Sequence, residues 1–137
     1  MCEATRAGGY APIPAETEQV AKAIVSAAYK VHGALGPGLL ESVYETCLEY
    51  ELRQAGLRVD RQVDLPVVYS GIQIDAGFRL DLLVDDRVIV ELKAVEMLSP
   101  LHTAQLLTYL RLTGRRLGFL INFNVSLIRE GLHRIVL

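Results

Sequence analysis

Apolar residues recur at spacings of three and four near the start of the chain. Val20, Ala23, Ile24, Ala27, Ala28 and Val31 predict a helix over roughly residues 17–33. Gly and Pro in GALGPG (33–38) cannot continue it. Leu40, Val43, Tyr44, Cys47, Leu48, Leu52 and Ala55 share one face of a second helix, with Gly56 as its stop. From Leu57 the period changes to two. Leu57, Val59, Val63, Leu65 and Val67, interleaved with polar residues, read as a strand, and Pro66 places it near an edge or bulge. Ser70-Gly71 marks a turn before IQIDAGFRLDLLV and RVIVELKAV. Ser99-Pro100 suits the N-cap and first turn of a third helix reaching about Thr113. RLGFLINF (116–123) is nearly continuously apolar, as in a strand covered on both faces, and LIREG and HRIVL finish the domain. The order of elements predicts an α/β fold with a mixed β-sheet flanked by helices.

Within this pattern, RLDLLVDDRVIVELKA (79–94) raises a chemical question. Asp81, Glu91 and Lys93 interrupt strands that otherwise read as core, and charges there need partners or a task. Glu91 and Lys93 point the same way, while Leu92 points opposite. A two-residue loop at Asp85-Asp86 would pair Asp81 with Val90 and put Glu91 on the other face. A three-residue loop, Asp85-Asp86-Arg87, pairs Asp81 with Glu91 and gathers Leu80, Leu82, Val84, Val88, Val90 and Leu92 on an apolar face. The cleaner sorting favours the longer loop. Two opposed carboxylates repel and require a cation. A hard divalent ion is the natural one: Mg2+, or Mn2+ as its substitute, accepts carboxylates together with water and substrate phosphates. Lys93 is spaced to orient an attacking water or to neutralise charge building on a phosphate. The plainer alternative is a salt bridge from Lys93 to one acid at the end of the sheet.

Other polar residues fall into groups. His102, Gln105 and Tyr109 share one face of the third helix, flanking an apolar stripe of Leu101, Ala104, Leu107 and Thr108. His102 on its own fits a surface or capping residue. Glu41 opens the second helix, one turn from Tyr44 and Glu45, where an acid also favours the helix dipole. Tyr44 fits a core position with a partner for its hydroxyl.

Composition narrows the classes of function. A chain of 137 residues fits one domain with a real core. No apolar run approaches the roughly 20 residues of a membrane span, and the N-terminus has no apolar signal core. Residues 1–16 therefore read as a flexible lead-in to a single domain over 17–137 in a cytoplasmic protein. Cys2 and Cys47 lack paired spacing and read as free thiols, Cys47 within the core. The net charge of −2 is unevenly spread: residues 1–99 carry −6, whereas residues 100–137 carry +4 from Arg111, Arg115, Arg116, Arg129 and Arg134 against Glu130. That segment offers a local basic surface, with Arg111, Arg115 and Arg116 as candidate phosphate contacts, although an ordinary solvated face fits equally well. A small-molecule enzyme finds no support, because there is no phosphate loop and no GxSxG motif.

Asp81, followed after about ten residues by Glu91-Leu92-Lys93, resembles the D…(D/E)xK signature of the PD-(D/E)xK nuclease superfamily. Gly38-x-x-Glu41-x-x-Tyr44 resembles the namesake motif of the GxxExxY protein family, which is usually grouped with these nucleases. Gln105-xxx-Tyr109 is similar to the helix bordering the active site in the RecB-like and lambda-exonuclease-like branches. The resemblance runs from about residue 18 to 137. It implies a restriction-endonuclease-like core and a Mg2+-dependent nuclease acting on DNA. In that reading Asp81 and Glu91 hold the metal with the Leu92 carbonyl and Glu41, Lys93 serves the water, and Gln105 and Tyr109 orient the site. Gly36 and Gly38 would bring the helix start close to the sheet. The competing expectation is a non-catalytic nucleic-acid-binding or assembly module that keeps the fold. So small a domain, without a separate grasping region, would then rely on a protein partner or a homodimer. Retention of Asp81, Glu91 and Lys93 together favours activity.

Overall fold

The helix–strand order expected from periodicity is present in the computed structural model, which describes residues 11–137. Two helices, α1 (Ala15–Leu35) and α2 (Glu41–Gln54), precede the edge strand β1 (Val59–Asp64) and a small hairpin, β2 (Val67–Tyr69) and β3 (Ile72–Ile74). The central hairpin is β4 (Arg79–Val84) and β5 (Val88–Lys93), followed by α3 (Pro100–Thr113), β6 (Leu117–Asn122), α4 (Ile128–Gly131) and β7 (Leu132–Val136). The main sheet has the order β1-β4-β5-β6-β7 and is mixed: β5 and β6 run parallel, and the remaining neighbours are antiparallel. A parallel pair needs a crossover, and α3 provides it. This is the α/β, restriction-endonuclease-like architecture.

Helices cover both faces. Val88, Val90 and Leu92 of β5 pack with α1 and α2 through Ile24, Val31, Tyr44, Leu48 and Leu52. Ile89 and Leu120 face the other way, onto Leu106, Tyr109 and Leu110 of α3. All of β6 is buried, as its unbroken apolar run predicts. Burial of each such aliphatic side chain contributes roughly 1.5–3 kcal/mol. Of the lead-in expected over 1–16, residues 1–10, with Cys2, lie outside the described residues. The remainder is held: α1 begins at Ala15, Ile13 packs on the core, and the Arg116 guanidinium donates to the carbonyls of Ala11 (2.7 Å) and Pro12 (3.2 Å). Cys47 is a free, half-buried thiol packed on the core.

Several expectations change in detail. The strand beginning at Leu57 divides at Leu65-Pro66, so Val67 belongs to the small hairpin. On α2, Leu40, Val43 and Ala55 are exposed, whereas Glu45 is buried. On α3 the expected stripe is wrong: Leu101, Ala104 and Thr108 are exposed, and the sheet receives Leu106, Tyr109 and Leu110 instead. That stripe has the same spacing of three and four, rotated around the helix, so the approach of the sheet decides between them. Gly36 and Gly38 have positive φ (68° and 102°) with no atom within 4 Å of a built Cβ. They serve the left-handed backbone of the turn, and a close approach to the sheet is not their reason.

Candidate active site

The β4–β5 hairpin carries the site. Leu82 pairs with Val90, Leu83 with Ile89 and Val84 with Val88, so residues 85–87 form the three-residue loop favoured by face-sorting. Asp85 and Asp86 adopt positive φ (54° and 56°), which short acidic side chains tolerate. Continued by one step, this register sets Asp81 against Glu91. There the regular ladder gives way to side chains. The Asp81 N–H donates to Glu91 Oε2 (2.9 Å), and the Leu92 N–H donates to Asp81 Oδ2 (2.9 Å). The carboxylates take acceptor places that carbonyls fill elsewhere in the ladder, and each is thereby held by backbone.

The distortion also corrects one expectation. Leu80 packs with Leu83 and Ile89 on the α3 face, opposite Leu82 and Val84. Alternation is broken at Asp81, because its neighbour on β1, Gln62, has φ 53° and the Gln62–Asp81 pair is missing between Arg61–Leu82 and Val63–Leu80. Asp81 thus lies at a kink where groups from both helical layers reach it.

Electrostatics tie the remaining residues to the kink. Glu91 is 5% exposed, and burial, then the charges of Asp81 and Glu41, push its carboxyl up to about 8. Hydrogen bonding from the Asp81 main chain and the charge of Lys93 oppose the rise. Burial raises Asp81 too; the Leu92 N–H pulls it back, and the charge of Glu45 adds to the rise. Glu41, the first residue of α2, is raised by burial and then by Asp81. Tyr109 is raised by burial, then by Glu91 and Asp81, which puts its phenol within reach of the same charges. Lys93 is half-buried and acts on all three carboxylates, yet none of the ion pairs among the described residues includes it. The plain salt bridge is therefore not what occupies it.

The other sequence candidates fare differently. Tyr44 is fully buried and stacks on Phe123 at 4.7 Å; its hydroxyl donates to the Gly36 carbonyl (2.6 Å) and accepts from the Leu39 N–H (3.1 Å). It clamps the turn containing Gly38 and so fixes where Glu41 begins α2. His102 caps α3: its Nδ1 accepts from the Ser99 N–H at 3.1 Å. Gln105 is half-buried one turn before Tyr109. The arginines are not at the carboxylates. Arg115 pairs with Asp86 (2.6 Å) and Arg116 donates to the Leu137 carbonyl (3.2 Å), while Arg111 is exposed in the last turn of α3. The parallel register, Val88 with Leu117 and Lys93 with Asn122, explains the displacement. The crossover returns the chain to the far end of β5, at Val88, about 10 Å along the strand from Glu91 at some 3.3 Å per residue.

Sequence reasoning missed two contributors, Glu45 and Asn122. Glu45, 5% exposed, pairs with Arg61 at 2.6 Å and accepts from Gln62 Nε2 at 3.0 Å. Its spacing of four from Glu41 was the available signal. Asn122 is buried at the end of β6; its amide donates to the Val95 carbonyl (2.9 Å) and accepts from the Val95 N–H (3.1 Å), which anchors the chain just beyond Lys93.

A carboxylate pair held by backbone in a splayed hairpin, with a lysine two residues on that forms no ion pair among the described residues, follows the D…ExK order of the chain. The family model described as the PD-(D/E)XK nuclease superfamily matches residues 18–135. The chain belongs to this superfamily. No curated protein and no solved structure matches it. Membership in the superfamily makes a nuclease-like function and a nucleic-acid substrate the general expectation. No helix among the described residues is long and apolar enough to cross a membrane.

A divalent metal is typical of PD-(D/E)XK nucleases, and the residues present can be tested against one. Among the described residues no group of three or more His, Cys, Asp or Glu is disposed to hold a metal ion, so Glu41 does not complete a three-acid cluster. Asp81 and Glu91 remain, with the Leu92 carbonyl. Because the Lys93 carbonyl accepts from the Phe123 N–H on the β6 side, the Leu92 groups face the β4 side, where its N–H meets Asp81. Two carboxylates and a carbonyl are hard oxygen donors, and burial, then the charge of Asp81, raises the Glu91 carboxyl. The set fits an ion that takes one or two carboxylates and fills its other positions with water and phosphate.

Proposed function

We propose that this protein is a metal-dependent nuclease that hydrolyses phosphodiester bonds in DNA. The observation that carries the reading is the buried Glu91 beside Asp81, its carboxyl raised to about 8, with Lys93 near both and ion-paired to neither. Asp81, Glu91 and the Leu92 carbonyl would hold Mg2+, or Mn2+ in its place. When bound, the ion neutralises charge on the scissile phosphate and makes a water more acidic. Lys93 directs its ammonium to the attacking water or to a phosphate oxygen, where charge grows as the water oxygen bonds to phosphorus and the ester oxygen leaves. Tyr109 keeps its proton, since its phenol is raised, and can donate a hydrogen bond to the phosphate. Gln105 supplies a neutral amide on the same helix. Glu41 modulates the charge of the site from the start of α2.

The test is purified protein with Mg2+ or Mn2+ on linear, circular, single-stranded and duplex DNA, with RNA alongside and Lys93→Ala as control. Metal-dependent cleavage of DNA that Lys93→Ala abolishes is the expected result. Binding without cleavage under any of these conditions would replace the enzyme with a nucleic-acid-binding or assembly module.

A further inference from the structure

Gln62 stands where two distortions coincide. Its backbone φ is 53°, a left-handed conformation that costs a residue with a Cβ about 1–2 kcal/mol. The β1–β4 ladder, regular on either side, has no pair at Gln62 and Asp81. The side chain shows what this conformation achieves. Its Nε2 donates to Glu45 Oε2 (3.0 Å) and Oε1 (3.3 Å), and more weakly to Asp81 Oδ1 (3.4 Å). A neutral amide therefore lies between two carboxylates that repel each other. Glu45 Oε2 also accepts from Arg61 Nε at 2.6 Å, so the amide and the guanidinium share that oxygen. Asp81 Oδ2 accepts from the Leu92 N–H, so the two oxygens of the Asp81 carboxylate have one donor each.

We propose that Gln62 is a positioning residue: anchored by the Glu45–Arg61 pair, it fixes the orientation of the Asp81 carboxylate toward the divalent cation and screens it from Glu45. This rests on the reading of Asp81 and Glu91 as the metal-holding pair. A carboxylate oriented by its neighbours loses metal affinity when they are removed, even though no ligand atom changes. The left-handed backbone makes a clean experiment available. Glycine adopts that φ without penalty, so Gln62→Gly removes the amide and relaxes the main chain together.

Mn2+ is titrated calorimetrically into wild type, Gln62→Gly and Gln62→Leu, and cleavage of DNA by each is resolved into kcat and KM. The melting temperature is measured with EDTA. Gln62→Gly should melt within a few degrees of wild type, bind Mn2+ roughly tenfold more weakly, as loss of a hydrogen bond to a charged group implies, and lose kcat with little change in KM. Gln62→Leu should show the same metal and kcat losses, and it carries the comparison if the glycine variant does not fold. Wild-type Mn2+ affinity and kcat in a folded Gln62 variant would overturn the positioning role and leave the nuclease reading intact. A wild-type protein that neither binds Mn2+ nor cleaves would overturn both.

Discussion

Replacing Glu91 by Gln removes one negative charge and keeps an oxygen that can accept the Asp81 N–H. The consequence follows from the proton balance. A glutamate ordinarily titrates near 4.5; in the folded protein burial and then Asp81 raise Glu91 to about 8. Below pH 4.5 folded and unfolded chains both carry the proton. Between 4.5 and 8 the unfolded chain has released it and the folded one keeps it, so stability falls as pH rises and levels off above 8. At about 1.4 kcal/mol per pH unit the loss is on the order of 5 kcal/mol. For a domain of this size that corresponds to roughly 10–20 °C in melting temperature. Asp81 and Glu41, also raised, add to the same slope. Thermal melts in EDTA from about pH 5 to 9 should show a marked decline for wild type and a much flatter curve for Glu91→Gln, leaving the variant more stable at the alkaline end. Mn2+ at a hundredfold excess over its Kd should return about 2.7 kcal/mol to wild type and little to the variant. Equal pH slopes and equal Mn2+ responses in the two proteins would refute the reasoning, because these carboxylates would then neither share a strained charge nor hold a cation.

Lys93→Ala should lower cleavage by about 10²- to 10³-fold, the scale of removing one donor to a developing charge, while melting within a few degrees of wild type; full activity would remove Lys93 from the mechanism. Tyr44→Phe should cost about 1–2 kcal/mol in urea unfolding, since the hydroxyl that ties Gly36 to Leu39 is lost and the stacking on Phe123 remains. Gly131→Ala should severely weaken folding, because an added Cβ would clash with the Asn122 backbone carbonyl; a variant as stable as wild type in the same assay would contradict that packing. Arg115→Ala should leave kcat unchanged, as its guanidinium serves Asp86 at the hairpin turn; a fall in kcat would return it to the phosphate-binding surface.

Local chemistry in the sequence was enough for the elements whose signals are local. The Gly-Pro break before α2, the Ser99-Pro100 start of α3, the apolar run of β6 and the three-residue hairpin loop depend on spacing and backbone preference, and all are present. So was the order of Asp81, Glu91 and Lys93, because three charges in otherwise apolar strands contrast with their surroundings. Quantities that depend on which surfaces meet were not legible. The α3 stripe could be rotated until the sheet selected Leu106, Tyr109 and Leu110. The burial of Glu45 depends on β1, which brings Arg61 and Gln62 against it. That Arg115 and Arg116 lie toward the opposite end of β5 from the carboxylates was set by the parallel crossover. The kink at Asp81 was hidden as well, since strict alternation would have set Leu80 beside Leu82. Periodicity records one element's own geometry, whereas burial, pKa and ion pairing arise from neighbours distant in the chain, and only the tertiary structure brings those together.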